Sequence, residues 1–213
     1  MGRERNRAGM ARFGINIENA VGVSVTDLRR LARSIGRDHK LAADLWRSGV
    51  HEARVLACFV EVPEKVTLAQ MERWVRAFDS WDLCDQVCAN LFDRTPFAFD
   101  KAVEWAARDE EFVKRAGFAL MAALAVHDKA SPDRRFLPLL PIIEREARDE
   151  RNFVKKAVNW ALRQIGKRNR TLNTAAVRCA RRIEKQDSGA ARWIARDALR
   201  ELEGDAVRSR LSG

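Results

Sequence analysis

Tyrosine is absent from the 213 residues, and glycine (11) and proline (5) are scarce. So few turn and linker residues exclude a collagenous or low-complexity chain. Long hydrophobic runs are missing too. The longest, Ala116–Val126, lies between Arg115 and His127. It is too short to span a bilayer and reads as a buried core helix. The opening stretch, MGRERNRAGMARFG, has no hydrophobic segment, so a secretory signal is not expected. The four cysteines form no CxxC pair, and His39, His51 and His127 stand apart. These spacings predict no metal site. Cys84 and Cys88 are one helical turn apart and suit buried neighbours. Reduced thiols without a signal predict a cytoplasmic protein, nucleoid-associated if bacterial.

What remains is a helix-forming, basic composition. Apolar residues make up 46%, enough for a globular core. Ala, Leu, Arg and Glu dominate, and no segment alternates with a period of two. Lys and Arg number 40 against 30 acids, a net charge of +10. A balance this basic points to an anionic partner, nucleic acid or acidic membrane.

Helical patterns run from Ser24 or Thr26, either of which can cap, to Ile35. They recur near 38–48, 50–62, 66–78, 80–92, 97–108, 110–126, 133–148, 150–167, 171–185 and 189–203. Gly49, Pro63, Pro96, Pro132 and Asp187-Ser188-Gly189 punctuate them. An internal repeat is visible. Arg108-Asp109 and Phe112-Val113-Lys114 recur as Arg148-Asp149 and Phe153-Val154-Lys155, offset by 40 to 41 residues. Ala198-Leu199-Arg200 faintly echoes Ala161-Leu162-Arg163, offset by 37. Helix pairs at this period predict an all-α solenoid of HEAT type, whose stacked pairs share one core and expose a concave basic groove. Residues 1–213 read as one such domain, with 1–9 a flexible basic stretch.

Between Arg163 and Lys185 stand eight cations against the single acid Glu184, a net of +7 in 23 residues. Arg163, Lys167, Arg168 and Arg170 open this block, which reads as a phosphate-tracking stripe. Trp81 and Asp85, four apart, share one helix face, and Asp82 is close to both. They are either a reactive face, or a core indole beside aspartates that are solvated or paired with arginines. Arg115 heads an apolar helix. It either holds a phosphate or bridges to Asp85 or Glu111. Trp46, Trp74, Trp105 and Trp193 read as core or helix-packing residues. No Ser-His-Asp grouping, phosphate-binding glycine loop or nucleotide fingerprint occurs.

Several separated pieces then occur in order: MARFG (10–14), GVSVTDLRRLA (22–32), SWDLCDQV (80–87), FVKRAGFAL (112–120) and NFVKKAVNWALRQIGKRN (152–169). Together they resemble the AlkD-type DNA alkylation repair family, the HEAT-like-repeat DNA glycosylases. The resemblance covers about residues 10–203. It implies hydrolytic excision of cationic N3- or N7-alkylated purines from duplex DNA by a monofunctional enzyme without cofactor or metal. The chain would act as a monomer and away from membranes. The family's catalytic carboxylate falls on Asp85 and its two active-site indoles on Trp81 and Trp160. Its phosphate-contacting arginine falls on Arg115, and a second basic position on Arg163. The sequence departs from the family at Phe13, where tyrosine is common, and at Asn159, where glycine is common. Two alternatives stand beside the enzyme: a non-catalytic HEAT-type module that binds DNA structure, and a protein–protein scaffold.

Overall fold

A computed structural model describes residues 4–212. Among the described residues there are thirteen α-helices and no strand. They are α1 (Glu4–Arg12), α2 (Val25–Ile35), α3 (His39–Arg47), α4 (His51–Val60), α5 (Leu68–Arg76), α6 (Trp81–Asn90) and α7 (Ala98–Ala106). There follow α8 (Glu111–His127), α9 (Leu139–Glu146), α10 (Asn152–Gly166), α11 (Arg170–Glu184), α12 (Gly189–Leu202) and α13 (Asp205–Ser212). Among the described residues no helix is long and apolar enough to cross a membrane.

Local chemistry sets the helix starts. Ser24, Asp38, Thr67, Asn169 and Ser188 each accept a bond from the backbone N–H three residues on. Each such cap stabilises its helix by about 1 kcal/mol. At α2 the capping residue is Ser24 rather than Thr26. Gly36 ends the same helix at φ +81°, a conformation other residues rarely adopt.

The contacts divide the chain into two compact units, Met1–Phe97 and Ala98–Gly213. In the first unit, α2, α4 and α6 lie side by side and α3 packs on α4. Its core is aromatic: Trp46 and Trp74 stack in parallel at 3.9 Å, with Phe78 edge-on to Trp46 at 6.3 Å. The second unit is built from the pairs α7/α8, α9/α10 and α11/α12. The second helices α8, α10 and α12 pack in one layer, and α7, α9 and α11 in the other. That is the two-layer stacking of HEAT repeats. The repeat seen in the sequence sets α8 and α10 in register, with the Phe112 and Phe153 rings 5.7 Å apart.

Four features differ from the sequence reading. Residues 4–12 form a helix where a flexible stretch 1–9 is expected; residues 1–3 lie outside the described ones. No α1 residue is buried, so hydrophobic periodicity gives no signal there. Polar side chains anchor it instead: Asn6 Nδ2 donates to Gly22 O at 2.8 Å and Arg7 Nη2 to Ile17 O at 3.4 Å. The short α13 follows the last expected helix. α9 begins at Leu139, not near 133, because Pro138 occupies its N-cap and Pro141 its first turn, where a missing N–H costs nothing. Trp193 is 41% exposed rather than core, with Lys155 Nζ 5.8 Å from its ring.

Gly117 marks the closest helix approach. A Cβ there would meet the Ala106 backbone N and lie 2.9 Å from Ala102 O. Those obstacles are backbone and cannot rotate aside. Alanine gains about 1 kcal/mol in helix propensity over glycine, yet overpacking costs about 1–3 kcal/mol. Because the obstacles are backbone, the cost lies toward the upper end of that range, and Gly117→Ala is expected to lower the urea midpoint, by up to about 2 kcal/mol in unfolding free energy. An unchanged or higher midpoint would show that α7 and α8 part without cost.

Candidate nucleic-acid interface

The first unit presents Trp81 and Asp85 from α6. Both are partly exposed, whereas Leu83, Cys84, Val87 and Cys88 on the same helix are buried. The helix therefore turns its Leu/Cys/Val side inward and leaves the Trp81–Asp85 edge accessible. Trp81 is fixed by its indole N–H, which donates to Phe13 O at 3.0 Å. Phe13 itself follows α1, is 63% exposed, and lies 5.5 Å from the Arg12 guanidinium. Its ring is thus free of the core, while its carbonyl orients Trp81. Beside them opens a cavity of about 850 Å³, with Phe13, Met10, Leu28, His51, Trp81 and Asp82 in its wall.

Asp82 has a different environment from Asp85. Its Oδ2 meets His51 Nε2 at 2.8 Å, and its Oδ1 accepts from Ser80 Oγ at 2.8 Å. Ser80 is fully buried, so this hydroxyl serves the aspartate rather than the helix N-terminus. Asp82 is thus paired with a histidine, not solvated or paired with an arginine. Burial opposes the imidazolium of His51, but the hydrogen bond and charge of Asp82, helped by Glu52 and Asp79, hold its pKa above the ordinary value. Burial likewise opposes the carboxylate of Asp82; the bond and charge of His51, the Ser80 hydroxyl and the Leu83 N–H outweigh it and hold its pKa low. Next to His51, the Glu52 carboxylate accepts the backbone N–H groups of Val21, Gly22 and Val23 at 2.9, 2.7 and 3.3 Å.

In the second unit, Arg115 is only 5% exposed, and its Nη1 donates to Phe153 O at 2.5 Å. Trp160 is partly exposed on α10. Its indole N–H reaches the Gln164 amide oxygen at 3.1 Å, with that amide turned to face its donors. One helix position earlier, buried Asn159 donates from Nδ2 to Asp197 Oδ2 at 2.7 Å. Arg163 joins Asp197 at 3.2 Å and Glu201 at 2.8 Å, and Lys167 joins Glu201 at 2.6 Å. Arg168 closes the end of α8. Its guanidinium donates to Ala125 O, Asp128 O and Ser131 O at 2.9, 2.7 and 3.1 Å, and lies 4.0 Å from the Phe136 ring. Arg181 pairs with Glu203 and Arg182 with Glu144. Five of the eight cations of 163–185 thus have acidic or carbonyl partners from other helices and loops. Arg170, Arg178, Arg181, Arg182 and Lys185 are exposed; Arg170 and Arg178 flank a hollow of about 460 Å³ on α11.

The family model described as DNA alkylation repair enzyme matches residues 1–202. The chain belongs to that family. It is also similar to the uncharacterized protein Lin0241 of Listeria innocua, 23% identical over 167 residues, which cover 77% of this chain and 72% of that protein. A solved structure superposes over 99% of this chain and 91% of its own, with a TM-score of 0.78 and 21% identity. It is described as belonging to a new family of proteins related to the HEAT-like repeat DNA glycosylases with affinity for branched DNA structures. At that identity the likeness establishes the fold: an all-α, HEAT-like repeat protein.

Sequence spacing alone misses His51, Glu52 and Asp197. Each is a polar residue whose partner lies 29 to 38 positions away. The helix-start position of His51, just after a glycine turn, is the one local hint.

Two outcomes follow from this geometry. Asp82→Asn removes a buried partner of His51, a class of change costing about 3 kcal/mol. The raised pKa of His51 adds stability present below its unfolded value near 6.5 and lost as pH rises through the folded value. The lowered pKa of Asp82 adds stability lost only as pH falls below about 4. The destabilisation by Asp82→Asn, read from urea curves, should be greatest near pH 5–6 and shrink toward pH 9. A pH-independent loss would show that the pair is not ionised in the folded state. Second, Arg168→Ala should destabilise by about 2–3 kcal/mol, since several carbonyls lose a charged donor, while exposed Arg178→Ala stays within about 0.5 kcal/mol. Equal stabilities would return Arg168 to the surface set.

Proposed function

We propose that the protein is a monofunctional DNA glycosylase that excises cationic N3- and N7-alkylpurines from duplex DNA, with Asp85 as its catalytic carboxylate. The observation that carries the reading is the contrast between the two aspartates of α6, in a chain of the DNA alkylation repair family. Both are partly exposed, but Asp82 is engaged by His51 and Ser80, whereas Asp85 lies on the edge that carries Trp81.

An N3- or N7-alkylated purine already bears positive charge and leaves without being protonated, so no general acid is required. As the glycosidic bond breaks, positive charge grows on the deoxyribose. The Asp85 carboxylate stabilises that charge and orients the water that adds to C1′; the water's proton passes to solvent. The indole face of Trp81, held by the Phe13 carbonyl, favours the same cation by about 1–2 kcal/mol once water is excluded. Trp160 takes the corresponding role assigned by the resemblance. Neither lysine nucleophile nor cofactor enters, so the strand is not cut. Arg115 contacts backbone phosphate in this reading, as Arg163, Lys167, Arg168, Arg170 and Phe13 contact DNA. Arg170 is the most exposed of these cations.

The related structure with affinity for branched DNA favours a second reading, a non-catalytic binder of DNA structure. Single-turnover release of 7-methylguanine from methylated duplex DNA separates the two. Asp85→Asn keeps the side-chain shape and removes the charge. It should lower the rate by ~10²–10³ while leaving duplex affinity equal or slightly higher. Equal rates for the variant and the wild type would remove Asp85 from the chemistry. A wild type that releases no base yet prefers four-way junctions to duplex would establish the second reading.

A further inference from the structure

On the first unit, away from the Trp81 end of α6, four arginines surround a pocket of about 440 Å³. Arg29 and Arg33 come from α2, Arg37 from the turn after it, and Arg94 from the turn after α6. Phe59 and Asn90 complete the wall, which carries no carboxylate. All four arginines are exposed.

Two of them are held in place. Arg29 lies 5.4 Å from the Phe59 ring, and its Nη2 donates to Gln86 Oε1 at 3.2 Å. Arg37 Nη1 donates to the carbonyls of Phe59 and Glu61 at the end of α4. Burial raises the pKa of the Cys58 thiol, next in sequence to Phe59 of the wall; the fields of Arg29, Arg37 and Arg94 oppose that rise, and Asp93 adds to it. Four like charges gathered around one hollow repel one another, an arrangement that an anion relieves. Guanidinium forks match the oxygens of a phosphate.

We propose that this pocket is a phosphate subsite that takes a backbone phosphate of bound DNA, separate from the contacts made at Trp81 and Asp85. Along α6, Asn90 lies about 13 Å from Trp81 at 1.5 Å per residue. The phosphate held here therefore belongs to a nucleotide several steps from the one facing Trp81, or to another strand. Arg33 and Arg94 supply the ligand-facing charge, while Arg29 and Arg37 form the braced back of the pocket. The subsite rests on the DNA-binding part of the proposed function and not on base excision.

The test is an anisotropy titration of a 25-base-pair duplex with the full chain across 50 to 300 mM NaCl. Wild type is compared with Arg33→Ala/Arg94→Ala and with the charge-keeping Arg33→Lys/Arg94→Lys. Each phosphate contact contributes about 0.9 to the slope of log affinity against log salt. With one phosphate lost, the alanine pair should lower that slope by about one, and the lysine pair should retain most of it. Melting temperatures should be unchanged, because the two substituted arginines are exposed. An unchanged slope overturns the proposal, as does a lysine pair that loses as much as the alanine pair. A wild type that binds ATP or pyrophosphate at 1:1, lost in the alanine pair while the DNA slope stays the same, also overturns it: the pocket would then serve a free phosphate compound. Release of 7-methylguanine is measured on the same samples. A wild type that releases no base, while the alanine pair still loses about one unit of slope, sinks the excision reading and supports the subsite.

Discussion

The first unit depends on satisfying the polar groups of an irregular stretch, residues 13–24, that precedes α2. Backbone N–H groups left unpaired there would each cost about 1–3 kcal/mol. Glu52 meets three of them with one carboxylate, and His51 N donates to Asn19 O at 2.9 Å. The side chain of His51 then reaches Asp82, and Asp82 takes the Ser80 hydroxyl. The start of α4 is thereby tied to the N-terminal segment on one side and to the start of α6 on the other. Trp81 follows from this arrangement. Its indole lies one residue from the His51–Asp82 pair and bonds to Phe13 O, so its ring is fixed from both ends.

In the second unit the repeat length governs the polar contacts as it governs the packing. Asn159–Asp197, Arg163–Asp197, Lys167–Glu201, Asn169–Asp133 and Arg182–Glu144 all span 34 to 38 residues. These separations are close to the 37–41 residue offset of the repeat. A side chain on one helix meets the equivalent helix of the next pair, so its partner is one repeat away. Evenly spaced ion pairs of this kind choose register. Partly exposed ones contribute little stability individually, but a one-turn slip between pairs would break several at once.

This geometry explains what was legible in the sequence. Helices with an apolar stripe, such as α2 with Leu28 and Ala32 inward, announce themselves by period. α1 does not, because polar bonds from Asn6 and Arg7 hold it. The repeat was readable from Arg108-Asp109 and Arg148-Asp149 because the same residues recur at the start of equivalent helices. The charge block at 163–185 was misleading in a specific way. Counting charge within a window finds only neighbours in sequence, and every acid that answers Arg163, Lys167 and Arg182 lies outside that window. The arginine pocket on the first unit was hidden for the opposite reason: its four cations are spread over residues 29 to 94 and form no run.

The two aspartates of α6 illustrate how one helical turn divides structural from chemical work. Asp82, in the first turn, faces α4 and its histidine; a carboxylate there is held charged by His51 and Ser80. Asp85, one residue short of a full turn later, projects along the edge shared with Trp81 and away from the Leu/Cys/Val face. A carboxylate that must answer charge appearing only in a transition state needs to be ionised, oriented and reachable. Pairing with a histidine and a serine hydroxyl secures the first two requirements for Asp82 but occupies both of its oxygens. The position of Asp85 keeps the third, while the rigidity it requires is supplied by its neighbour: the same His51–Asp82 pair that takes Asp82 out of contention fixes the helix from which Asp85 projects.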